Sequence, residues 1–286
     1  MTAANNFSTK QEFLNNEIVS EFVIHLTNLI NGKKFKHSYN KWQCFSLIDA
    51  KNRYHWQGQN YDDTKASLDV LSKQLKYSIL KRDAKSVLIN VIKIMDWGQV
   101  HKGCITYVLK KFDQSSLIDS LSDAIDVLDG DDYNLQRFDQ KDLRMDSGLT
   151  KVYSLGSKHS IIYDSRVTAA MLLIGYRYFG HEKLNSEIKE LELFAGSNIS
   201  KKRSHINNSK VIKRNLKDNS LSKGSENIYP HAHFNLIANW MLQEAIAQAR
   251  ITQLDLYDTW GVNDESEMLR AVEAALFMIG ADITNG

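Results

Sequence analysis

Residues 145–171 read MDSGLTKVYSLGSKHSIIYDSRVTAAM, and the order of signals within them decides how the rest of the chain is arranged. Asp146-Ser147-Gly148 is a turn signal, because short polar side chains bond back to nearby amides and glycine tolerates the bend. Leu149 to Leu155 carries the apolar spacing of a short helix, and Gly156-Ser157 breaks it. Ile161-Ile162-Tyr163 is a brief apolar run. Asp164 then stands where a helix N-cap belongs, ahead of Ser165 to Ile174. The unit is a turn, a short helix, a loop, an apolar approach and a capped helix. Taken singly, Asp164 is an ordinary cap and Lys151 an ordinary solvated lysine; their order within one unit invites a functional reading.

Outward from this unit, apolar residues recur at helical spacing. Ile18, Phe22, Leu26 and Leu29 mark one helix, from Glu17 to Leu29, and Leu68, Leu71, Leu75 and Ile79 another, from Ala66 to Leu80. Residues 85–95, 117–128, 165–179, 234–251 and 266–279 follow the same rule, with Gly280 as a stop. The one proline, Pro230, suits long helices better than a turn-rich β-sandwich. Residues 51–63, KNRYHWQGQNYDD, read as a loop or short hairpin, and residues 198–227, polar, basic and Ser/Asn-rich, as a mobile insertion. No fixed-period repeat is present. The expected fold is all-α: a single two-lobed helical bundle over residues 1–286, with a helix-hairpin-helix near residues 141–175 and the insertion 198–227 as a surface excursion.

Composition narrows the classes. With 43% hydrophobic and 24% charged residues in 286, the chain can bury a sizeable core without disulfides or metals. Cys44 and Cys104 are too few for a disulfide framework and lack metal-site spacing, which fits a reduced, cytoplasmic setting. No signal peptide or membrane span is evident. The net charge of +2 decides nothing, but residues 201–217 hold seven Lys or Arg and no acid, while the chain beyond His231 is acidic. That basic run fits contact with a DNA backbone and fits a solvated loop equally well.

The 145–171 unit resembles the helix-hairpin-helix DNA glycosylases, the group that contains endonuclease III and 8-oxoguanine glycosylase. The matching positions are Gly148 in the hairpin, Lys151-Val152 after it, and Asp164-Ser165-Arg166-Val167 at the cap. The departures are a single glycine, three residues before the lysine, a lysine-to-aspartate interval of thirteen residues, and Tyr153 where a small residue is common. The resemblance implies that Ser147, Gly148 and Thr150 hold a DNA phosphate. Asp164 then stabilises a sugar cation or orients water, and Lys151 is a Schiff-base nucleophile in a lyase. It implies double-stranded DNA with a modified base as partner, a monomer, and no redox cofactor. A monovalent cation at the hairpin is allowed, and repair and phage defence both stay open.

The chemistry agrees with those residue types. Amides at a helix N-terminus bind a phosphate whatever the sequence. A fixed carboxylate stabilises an oxocarbenium-like transition state, and a desolvated lysine attacks C1′. A flipped base needs stacking faces and hydrogen-bonding edges, for which Trp42, Tyr54, Trp56, Trp97 and His101 are the candidates. Each of these also reads as an ordinary core or loop residue. His231-Ala232-His233 is a weak metal signal without a third ligand, and no phosphate loop of nucleotide-driven or dinucleotide enzymes is present. The alternative to a glycosylase is a non-catalytic DNA-binding protein that uses the hairpin for phosphate contact, or a helical protein-interaction module.

Overall fold

The computed structural model describes residues 7–100, 102–138, 142–185 and 230–284. Among them lie twelve helices and one small antiparallel hairpin. In chain order these are α1 (Lys10–Leu14), α2 (Glu17–Ile30), β1 (His37–Tyr39), β2 (Trp42–Cys44), α3 (Leu47–Asn52) and α4 (Tyr61–Leu80). There follow α5 (Ala84–Trp97), α6 (Lys102–Asp113), α7 (Leu117–Asp129), α8 (Leu149–Gly156) and α9 (Ser165–Asn185). The chain closes with α10 (Pro230–Thr252), α11 (Leu256–Trp260) and α12 (Glu265–Ile279). The protein is mostly helical, as expected, and no described helix is long and apolar enough to cross a membrane.

Short polar side chains start these helices. Asn16, Ser46, Asn60, Asp83 and Asp264 each accept from amides in the first turn that follows, satisfying donors the helix itself leaves open. Pro230, with no amide hydrogen to lose, opens α10.

Two sets of helices emerge from the packing. The N-terminal α2 lies along α10, and α3 and α9 both pack on α12. The middle of the chain packs on itself: α4 pairs with α5, α8 rests against both, and α6 and α7 flank them. Trp240 and Trp260 are fully buried in the first set, and Phe138 and Tyr153 in the second. Gly280 is where α12 meets the start of α9. A Cβ there would lie 1.7 Å from the Arg166 carbonyl oxygen, so the two backbones touch. Its φ of −80° shows that space, not a left-handed cap, requires the glycine.

The structure corrects several expectations. α6 and the 37–44 hairpin were not foreseen, and α4 begins at Tyr61, five residues before the expected start. Residues 51–63 hold the end of α3 and a tight turn. There Trp56 and Gln59 exchange backbone bonds around Gln57 and Gly58, both at positive φ. α9 runs beyond 179 to Asn185 through a break at Gly180. Over 142–175 the described residues form an irregular approach with a turn at 147–148, α8, an irregular loop and the start of α9, and a helix-hairpin-helix is not shown. The insertion at 198–227, with its basic run, lies outside the described residues. Cys44 and Cys104 are both free and buried.

Candidate active site

The turn before α8 is built around one carboxylate. Asp146 Oδ1 accepts the amides of Gly148 and Leu149 at 2.9 and 3.0 Å, and Oδ2 accepts Arg144 Nε at 2.8 Å. The Cys104 thiol also donates to it, at 3.2 Å. Burial works against its charge, but the Leu149 amide, Cys104, Arg144 and the Gly148 amide together hold Asp146 below the usual carboxylate range. Of the residues expected to meet a DNA phosphate, Gly148 therefore turns its amide to the chain's own anion, and the Thr150 amide bonds the Asp146 carbonyl. Thr150, the other phosphate candidate, is fully buried, so that assignment is corrected. Ser147 and Gly148 do line the cleft described below.

One turn into α8, Lys151 folds back so that Nζ donates to the Ser147 carbonyl at 2.8 Å. The same ammonium lies 3.8 Å from Asp164 Oδ2, with the two side chains only 11% and 13% exposed. Gly98, at the end of α5, leaves the path open: a Cβ there would sit 2.3 Å from Lys151 Cδ. Asp164 also caps α9, its Oδ1 accepting the amides of Arg166 at 2.8 Å and Val167 at 3.3 Å. One carboxylate oxygen thus fixes the helix while the other faces the lysine.

The approach to Asp164, residues 160–163, is irregular chain outside any helix or strand, yet it is buried. Buried backbone groups without partners are costly, so each must be met by something. Here side chains do it. Asn239 Oδ1 accepts the Ile161 amide at 3.0 Å, Glu273 Oε2 the Ile162 amide at 2.8 Å, and Thr150 Oγ1 the Tyr163 amide at 3.0 Å. Asn235 Nδ2 bonds Thr150 Oγ1 at 3.0 Å. His231 Nε2 lies 2.7 Å from the Tyr163 carbonyl, and burial lowers that histidine to about 4. It is therefore neutral near pH 7, and Nε2 must carry the hydrogen it donates. Arg270 Nη1 reaches Glu273 at 2.6 Å and the Ser154 hydroxyl at 2.8 Å. Burial pushes Glu273 up despite that partner.

Lys151 and Asp164 face a cleft of about 890 Å³ lined from α4, the ends of α5 and α6, α8, the start of α9, and α12. Tyr54, Trp56, Tyr61, Trp97 and Phe277 supply its aromatic surface. The Arg166 guanidinium stacks 4.2 Å from the Phe277 ring centre and 5.0 Å from that of Trp56. Of the five base-pocket candidates, Tyr54, Trp56 and Trp97 line this cleft. Trp42 does not: it stacks on Tyr39 in the hairpin, with Nε1 bonded to the Arg53 carbonyl. His101 lies outside the described residues. His231 and His233 are buried on α10, and no described group of three or more His, Cys, Asp or Glu could hold a metal.

Tyr61, Glu273, Arg270 and Phe277 were missed because they sit far from the 145–171 unit in sequence. A signal existed for the clamp: His231, Asn235 and Asn239 recur every fourth residue on an otherwise apolar helix, one polar stripe facing inward. No family model matches the chain, and neither a curated protein nor a solved structure matches it. The functional reading therefore stands on geometry.

Proposed function

We propose that this protein is a DNA glycosylase that flips a modified or damaged base into the cleft and cleaves its N-glycosidic bond. The observation that carries the reading is the Lys151–Asp164 pair, 3.8 Å apart on the wall of an aromatic-lined cleft. An aromatic cleft suits a base taken out of the stack, and its place between two helix sets supports the reading. As the C1′–N bond breaks, its electron pair leaves on the base, and positive charge builds on the sugar. Asp164 faces that charge and stabilises it. In a lyase branch Lys151, as the free amine, attacks C1′ and forms a Schiff base once the sugar ring opens. Repair of damage and defence against modified phage DNA use the same chemistry.

The test is strand cleavage after alkali on duplexes carrying single modified bases, including glucosylated hydroxymethylcytosine, with wild type and Asp164→Asn. Abasic sites from wild type and not from the variant support the reading. Borohydride trapping of a covalent adduct, lost in Lys151→Gln, supports the lyase branch. DNA bound with salt dependence and left intact across the panel would instead identify a non-catalytic DNA-binding protein.

A further inference from the structure

Among the described residues, three aromatic donors in the cleft wall have no partner, beside the hydroxyl of Thr64. Trp56 Nε1, Trp97 Nε1 and the Tyr61 hydroxyl are buried with no hydrogen bond, and Tyr61 is only 9% exposed. A buried donor left unmet is costly, and native interiors leave few of them. Three residues along one cleft make a pattern that packing alone does not require. They have a use if a ligand brings the acceptors.

The charges of the cleft point the same way. Its carboxylates are already met: Asp164 faces Lys151, Glu273 faces Arg270, Asp146 faces Arg144, Glu267 and Asp69 share Lys65, and Asp264 accepts the Glu267 amide as the cap of α12. The faces of Trp56 and Phe277, which a cationic ring would stack on, carry the Arg166 guanidinium. A positively charged base would meet like charge on those faces. An uncharged ring with carbonyl or hydroxyl oxygens would meet three donors.

We propose that Trp56, Tyr61 and Trp97 are the specificity-determining donors of this site, and that they select an uncharged base bearing acceptor oxygens over an N-alkylated, cationic one. This rests on the glycosylase reading for the identity of the ligand as a base, but its test is one of binding.

The probes are duplexes with a non-cleavable 2′-fluoroarabino linkage at one uracil, 8-oxoguanine, glucosylated hydroxymethylcytosine or 3-methyladenine, the last cationic and without an oxygen. Binding is read by tryptophan fluorescence and anisotropy. Wild type is expected to bind at least one oxygen-bearing base roughly tenfold more tightly than 3-methyladenine, and Tyr61→Phe to lose about fivefold of that preference. Because the hydroxyl has no partner among the described residues, Tyr61→Phe is expected to leave the urea midpoint equal or higher, which a structural hydroxyl would not. Equal or tighter binding of 3-methyladenine, an unchanged preference in Tyr61→Phe, or no response to any modified duplex overturns the proposal. The preference without base release from ordinary linkages sustains it and defeats the glycosylase reading; release without preference does the reverse.

Discussion

Two parts of the cleft's surroundings are made on opposite principles. In one, residues 160–163 bury their backbone and six side chains from three helices meet it: Thr150, His231, Asn235, Asn239, Arg270 and Glu273. In the other, Trp56, Tyr61 and Trp97 bury donors that no described residue meets. A saturated polar network is rigid, because moving any member strands another. An unsaturated part is poised to gain from a ligand. The saturated side holds Asp164 at a fixed point, and the unsaturated side is left to recognise what enters.

The largest expected effect falls where the saturated part is anchored. Gly280→Ala places a methyl against the Arg166 carbonyl, backbone against backbone, with no flexible group to yield. A loss of about 3 kcal/mol or more is expected, read as a lowered urea midpoint; a midpoint unchanged would mean that the start of α9 is free to shift.

Next comes acid. Burial holds His231 at about 4, whereas in the unfolded chain it titrates near 6.5. Only the unfolded state takes up that proton between these values, so the stability is whole above pH 6.5 and is lost as pH falls towards about 4. The span corresponds to about 3 kcal/mol as an upper bound. His25, held at about 4 by burial and then by Lys33, and His37, lowered chiefly by burial, act in the same direction. Urea midpoints at pH 7 and pH 5 measure the loss. A His231→Gln variant that abolishes none of the pH dependence would remove His231 from the account.

The smallest effect on stability is expected where the two parts meet. Gly98→Ala obstructs the Lys151 stem, a flexible chain that moves aside, so the fold loses no more than about 1 kcal/mol. The amine is displaced all the same, and borohydride trapping is expected to fall on the order of tenfold or more. Trapping at the wild-type level would show that the lysine reaches its target by another route.

Much of this was legible in the sequence, and the exceptions have physical reasons. Long helices announced themselves through apolar spacing, and α2, α5, α7 and α12 begin and end within two residues of expectation. α6 was hidden because its flanking turns use Gln99 and Ser115 in the left-handed region where glycine is usual. The Lys151–Asp164 pair was legible as a unit because both residues lie within one short stretch. The burial of Thr150 and the bond from the Gly148 amide to Asp146 were not legible, because no local pattern reveals that Asp146 turns back on its own helix. The aromatic part was only partly legible: Trp56 and Trp97 attract notice by type, whereas Tyr61 matters only through the donors that long-range packing leaves beside it.

The most direct measurement is alkali-revealed base release by wild type and Asp164→Asn on the modified-base panel. Asparagine keeps an oxygen to cap α9, so folding is preserved while the charge facing Lys151 is removed. The account predicts release by wild type and a loss of about 10³-fold in the variant. Equal release by both, or intact DNA from wild type on every duplex, would contradict it.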